Sequence, residues 1–422
     1  MKREPSRCIH KVKGEGYRGT IFHILDEGVN GSVRDLWRTG SATGNRDERG
    51  VKKMHRRRVV AWLMVLSLIA SFLVASTAAA QPQQESGTYG TKARDVTRET
   101  AEAYVARWAK TDHPEWENAS IEDPQAYYDL EGNHIATVYT ITDGRNPVGY
   151  INAGAGVFQG RVFEAGPGEA PASRTASEVR QALGRDLNLN VSDSDIFIDK
   201  PLYLGAFQYF HVVEVGEEKY GIDYLHNKAV HVSELKSNLV KPTQPPQAGI
   251  EPINATTSDY YNISDVPSYH QEASNDCGPT AGCNIVCYYK LCQGYSNLDV
   301  YPHDTLMETM NTGWWGTLAD DARDGFIEYT NTMKGYSFSA SLSGYLPNLL
   351  TVKDRLQNDH PLMLLFDGAS YALWHWVTVR GYDIIDDFNR YLIVNDPSGG
   401  RVNAYVDWNA NFGSMNFVYI TD

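Results

Sequence analysis

Four residues in the last third of the chain have types and spacings suited to acyl-transfer chemistry. Cys277 stands in N-D-C-G-P-T-A-G, residues 275–282. A cysteine thiolate is a strong nucleophile toward a carbonyl carbon, and it needs a base to form near neutral pH. Gly278 and Pro279 suit the first turn of a helix, where proline is tolerated because its missing N–H has no intrahelical partner anyway. That places Cys277 at the positive end of a helix dipole, which favours thiolate over thiol. His375, in Y-A-L-W-H-W-V-T-V-R-G-Y at 371–382, is the candidate base. It would take the thiol proton and return it to a leaving amine. Asp396, in N-D-P-S-G-G at 395–400, is the candidate acceptor that orients the imidazole. Its neighbour Asn395 points the opposite way in an extended chain, so only one of the two can serve. Gln271, six residues before Cys277, is the candidate side-chain donor to an oxyanion, with the Cys277 backbone N–H as its partner.

These residues need a particular set of elements. Residues 281–290, A-G-C-N-I-V-C-Y-Y-K, read as a helix running away from the thiol. Residues 371–382 alternate as a strand: His375, Val377 and Val379 share one face, and Trp374, Trp376 and Thr378 the other. Residues 390–396, R-Y-L-I-V-N-D, read as a second strand ending in a turn. Together these segments resemble the papain-like cysteine peptidase clan, and within it the bacteriocin-leader-processing (double-glycine) peptidase-like family. The motifs are Q-x5-C-G-P-T-A, then H-W-V-x-V-x-G-Y, then N-D-P-x-x-G, between Val266 and Asp422. The resemblance implies Gln271 as the oxyanion glutamine, Cys277 as nucleophile, His375 as base and Asp396 as the third member. It also implies that Gly316–Tyr329, which resembles the family's middle helix, walls a cleft. Founding members are fused to transport ATPases, but this sequence has no G-x-x-x-x-G-K-[ST] phosphate loop. The expectation is general extracellular proteolysis rather than leader processing.

The rest of the chain supplies context. Its 422 residues exceed one ordinary core, and 11% aromatic content argues against a disordered chain. Residues 1–58 carry 15 Lys/Arg and 7 Asp/Glu, which leaves 23 against 45 for the remainder. So acidic a body disfavours nucleic acid and anionic membrane surfaces as partners. M-H-R-R-R, the apolar run Val59–Ala80 and an A-x-A ending at Ala80 match a secretory signal. A run of that length also suffices for an uncleaved anchor, the one case in which the membrane would be a partner. Residues 1–53 then read as an upstream extension that is not native, with translation starting at Met54, or as a cytoplasmic tail. The expected location is extracellular or cell-surface.

The expected fold class is α+β. A papain-like domain at 259–422 has a helix carrying the cysteine and an antiparallel sheet carrying the histidine and aspartate. A smaller α+β region precedes it at 95–240. There Ala101, Tyr104, Val105 and Trp108 fall on one helical face, with Thr97 offering capping chemistry. Segments 95–165 and 172–235 each read as a helix followed by strands, either two similar units or one larger domain. Residues 81–94 read as a flexible leader and 241–258, rich in Pro and Gln, as a linker. The layout, rather than any motif, resembles the inhibitory pro-regions of secreted cysteine peptidases. It implies an intramolecular partner that covers the cleft, with a protein or peptide as the substrate.

Other residues receive plainer readings. Cys283 and Cys287 share a helix face and, with Cys292, read as core thiols, a disulfide using Cys292 being the alternative. No second short-spaced pair supports zinc, and Asp320, Asp321 and Asp324 lack the calcium-loop pattern and read as a solvated helix face, so no metal or cofactor is expected. The remaining histidines, among them His226 and His303, read as surface or packing residues, and Trp314 and Trp315 as core or cleft edge. Two other functions stay open: a thiol-dependent transpeptidase or cell-wall amidase on the same site, and a non-catalytic cell-surface binding protein.

Overall fold

A computed structural model describes residues 95–171, 175–242, 258–292, 302–314, 316–344, 347–370 and 373–422. The upstream extension, the signal or anchor run, the leader and most of the linker lie outside these residues. Among the described residues no helix is long and apolar enough to cross a membrane. The fold is a mixed α+β one, and Thr91–Asp422 form one compact unit.

The first helix, α1, is Val96–Trp108, and its face of Ala101, Tyr104, Val105 and Trp108 is buried. Asp95 caps it by accepting from the Arg98 N–H, while Thr97 is buried and bonds Asp95 and Tyr139. The capping role therefore belongs to the carboxylate two residues earlier, just outside the helix, where an N-cap must sit, while Thr97 is already inside it. Strands β1 (Ser120–Tyr128), β2 (His134–Thr142), β3 (Pro147–Gly154) and β4 (Val162–Pro167) then form an antiparallel meander. Helix α2 (Ala176–Leu187) starts at a capping box made by Thr175 and Glu178. It is followed by β5 (Ile196–Ile198), β6 (Leu202–Tyr203), β7 (Tyr209–Val215), β8 (Glu218–Asp223) and β9 (Ala229–His231).

After the linker come β10 (Asp259–Asn262), α3 (Cys277–Tyr288), α4 (His303–Thr309) and α5 (Ala319–Ile327). Next are β11 (Ser339–Leu342), α6 (Leu349–Gln357), β12 (Leu362–Phe366), β13 (His375–Ile384), β14 (Arg390–Asp396), β15 (Arg401–Asp407) and β16 (Met415–Thr421). The strands make one continuous sheet in the order β11-β16-β12-β13-β14-β15-β4-β3-β2-β1-β6-β7-β8-β9. The join is β15 with β4, antiparallel, Tyr405 opposite Ala165 and Val406 opposite Glu164. The region before the linker and the region after it thus share a sheet.

They also share a core. Trp108 of α1 stacks on Tyr405 at 4.0 Å between ring centroids and meets Tyr391 edge-on at 5.3 Å. Arg107 makes two hydrogen bonds to Asp383, at 2.9 and 3.1 Å, and Trp108 Nε1–H donates a third. Most of that pair is shielded from water, so it is a firmer tie than an exposed one.

Candidate active site

Helix α3 begins at Cys277, and its residues from Cys277 through Val286 are buried. A first turn this deep requires a small residue behind the thiol. A Cβ on Gly278 would stand 2.6 Å from Thr317 Oγ1 and 2.8 Å from Thr317 Cβ, closer than packed atoms allow. Thr317 precedes α5, and its carbonyl accepts from Trp376 Nε1–H at 2.9 Å. The segment expected to wall a cleft is therefore packed on both the nucleophile's turn and the histidine's strand.

Two polar residues hold α3 on β13. Asn284, two turns along from Cys277, donates to Thr378 Oγ1 at 3.0 Å and accepts from the Tyr269 N–H at 2.9 Å. Thr378 in turn donates to the Ala281 carbonyl. Both side chains are fully buried, and burial makes such bonds costly to break. They lie on the Trp376 face of β13, so the helix start and the strand start are held in register.

His375 opens β13 and is 1% exposed. Its Nε2 lies 2.8 Å from Asp396 Oδ1, while its Nδ1 is buried without a formed hydrogen bond. Asp396, fully buried, also accepts from Ser398 N–H and O–H and from Arg401 Nη1 at 2.9 Å. Asn395 turns the other way and donates to the carbonyls of Val266 and Pro267. Burial pushes the His375 value down, but the Asp396 charge and hydrogen bond, helped by Cys277, raise it overall. Burial likewise works against the Asp396 carboxylate, and His375 and Arg401 outweigh it, holding it below the usual range. The arrangement favours an imidazolium beside a carboxylate, with the Cys277 thiol near enough to act on the ring.

Gln271 reaches the site through its backbone, whose N–H donates to the Pro397 carbonyl at 3.0 Å. Its carboxamide donates to the Ala273 carbonyl, and its oxygen is buried without a partner.

Several nearby residues carried no signal in the sequence. Asp276, the N-cap of α3, accepts from the Glu272 and Ala273 N–H groups, and His303 Nε2 lies 3.2 Å away. That partner raises the His303 value. His226 is buried with its Nδ1 2.7 Å from Asp223 and its ring 5.9 Å from the His375 ring. Phe207 meets the His375 ring edge-on at 5.4 Å. His226 and Phe207 come from the region before the linker, where nothing in local pattern relates them to residue 375. Of the two positions expected for Trp314, core or cleft edge, its 74% exposure excludes the core, and Trp315 is outside the described residues. Asp320 and Asp324 are exposed and paired with Arg323. Cys287 and Cys292 form a disulfide, so they are not the core thiols expected of them: Cys292 lies just beyond α3, where the chain doubles back within bonding reach. Cys283 is free and buried, and burial pushes its thiol up.

Part of the chain, the part that holds these residues, is similar to known proteins. Residues 263–420 match the family described as Peptidase_C39 like, which is the bacteriocin-processing kind of cysteine peptidase that the motifs resemble. Among solved structures, the chain is similar to the peptidase domain of Streptococcus ComA, a bi-functional ABC transporter involved in a quorum-sensing pathway. Identity is 19%, the match covers 37% of this chain and 98% of that one, and the TM-score is 0.27. No curated protein matches.

Proposed function

We propose that the chain is an exported cysteine endopeptidase made as a precursor, with Cys277 as nucleophile, His375 as base and Asp396 as its orienting partner. The observation that carries this is the buried His375–Asp396 hydrogen bond beside a thiol at the first residue of a helix. The family match of residues 263–420 supports the same chemistry.

In this mechanism the Cys277 proton passes to His375, and the thiolate sulfur attacks the scissile carbonyl carbon. The carbonyl electrons move to oxygen, where the Gln271 amide and the Cys277 N–H donate to the oxyanion. Collapse expels the amine, which takes the proton from His375, and leaves a thioester. Water then loses a proton to His375, attacks the thioester and releases the acid and the thiol. Asp396 stays ionised throughout and keeps Nε2–H engaged, so that Nδ1 faces the sulfur.

The precursor reading is supported by burial. Cys277, His375 and Asp396 are at most 2% exposed, and Phe207 and His226 of the preceding region lie against the His375 ring. Incubating the purified chain under mild reduction is expected to yield a new N-terminus between residues 240 and 262. The same incubation of Cys277→Ala should leave the chain whole. A variant that still hydrolyses casein as the parent does would sink the proposal. Export through Val59–Ala80 predicts a mature N-terminus near Gln81, which direct sequencing reads.

A further inference from the structure

The residue before Cys277 does not do what its position would suggest. Asp276 is the N-cap of α3, where a carboxylate ordinarily accepts from the N–H groups of the helix's own first turn. Its side chain makes no such bond. It turns back along the chain, and Oδ2 accepts from the Glu272 N–H at 3.0 Å and the Ala273 N–H at 3.1 Å. The N–H groups that open α3, that of Cys277 among them, are therefore not taken up by this carboxylate.

The residues it holds are those that hold Gln271. Gln271 Nε2 donates to the Ala273 carbonyl at 3.0 Å, and the Gln271 N–H donates to the Pro397 carbonyl, also at 3.0 Å. The Gln271 segment thus has two attachments. One is the turn that carries Asp396, and the other, through Ala273, is Asp276.

A buried carboxylate next in sequence to a thiol has a cost. Asp276 is 1% exposed, and its charge opposes formation of a thiolate one residue away. His303 answers that charge from α4, its Nε2 lying 3.2 Å from Asp276 Oδ2. Asp304 stands 3.5 Å from the other ring nitrogen, so acidic groups meet both sides of the ring. Asp276 above all, with Asp304 second, favours the imidazolium over the neutral ring.

We propose that Asp276 and His303 are a positioning pair for the oxyanion step. The carboxylate fixes the Gln271 amide relative to the Cys277 N–H, and the imidazolium cancels the charge that would otherwise oppose the thiolate. This rests on the cysteine peptidase reading and adds to it two residues that touch no substrate.

Two reagents separate these roles on the full chain. With a peptide aldehyde, the Cys277 sulfur bonds to the carbonyl carbon and the C=O electron pair moves to oxygen, so the adduct uses the oxyanion donors. With iodoacetamide, the sulfur displaces iodide at a saturated carbon and no oxyanion forms. Alkylation is read by mass mapping, and aldehyde affinity by protection from it, so neither needs hydrolysis. Asp276→Asn should weaken the aldehyde about tenfold or more and lower kcat on a fluorogenic peptide by a similar factor, with KM within about twofold. Its alkylation should not slow by more than about twofold. His303→Gln leaves the Asp276 bonds in place but removes the compensating charge, so its alkylation at about pH 6 should slow about threefold or more. Equal losses of aldehyde affinity and alkylation in Asp276→Asn would mark a purely structural residue and overturn the oxyanion role. Unchanged alkylation in His303→Gln overturns the charge role. Asp276→Glu, which keeps the charge and shifts the acceptor, is read in the same way if Asp276→Asn misfolds. A parent chain that hydrolyses no peptide refutes the peptidase reading, while the two thiol measurements still decide this one.

Discussion

At the scale of single residues, the His375–Asp396 pair sets the sharpest expectations. Asp396→Asn removes the charge that favours the imidazolium and leaves Arg401 without its carboxylate. Peptidase turnover should fall on the order of a thousandfold, read as kcat on a fluorogenic peptide. The same pair predicts a stability window. His375 is raised, so its contribution is full below its unfolded value of about 6.5 and is lost as pH climbs through the folded one. Asp396 is lowered, so its contribution is full above about 3.9 and is lost as pH falls through its folded value. The Tm gap between the parent and Asp396→Asn should therefore be widest between about pH 4 and 6.5. A gap that grows above pH 8 would contradict this assignment of charges. Of the site's parts, the thiol at a helix start was readable from Gly278 and Pro279, because helix-start chemistry is local. The Asp276–His303 contact was not, because the two residues meet only when α4 packs beside α3.

At the scale of elements, alternation along residues 374–379 separated the two faces of β13, and each face met a different layer. Trp376 and Thr378 face α3, while Val377 and Val379 join the cluster that includes α6 residues. The Asn284–Thr378 bond is what converts that arrangement into a fixed distance between the helix start and the strand start. Thr378→Val keeps the shape of the side chain but strands the buried Asn284 amide, at a cost of about 1–3 kcal/mol. Urea unfolding should show that loss, and kcat should drop with little change in KM. Helix α1 was legible as an amphipathic element from four residues, yet its partner was not. Its buried face packs on Tyr391 and Tyr405 as well as on its own meander. Trp108→Ala should destabilise the chain by about 3–5 kcal/mol. A helix that served only its own region would not transmit that loss to β14 and β15, so hydrogen exchange on those strands discriminates.

At the scale of the whole molecule, the β4–β15 pairing and the α1 interface make the two regions one body. A cut within residues 243–257 should therefore leave both fragments together. They are expected to co-elute in size exclusion after such a cut and to separate only in denaturant. Release of free fragments in native buffer would show that the shared sheet is weaker than its buried contacts imply.

The sequence by itself determined the local things: where helices start, which strand residues share a face, and which four side chains are of types suited to acyl-transfer chemistry. Those follow from backbone periodicity and from side-chain types, and both are properties of a short stretch. Tertiary structure alone decided that Trp108 of α1 stacks on Tyr405, that Arg107 pairs with Asp383, and that Phe207 and His226 lie on the ring of His375. Those contacts join residues whose neighbours in the chain say nothing of each other. They arise because apolar faces and unpaired strand edges are satisfied wherever the whole chain can bury them together.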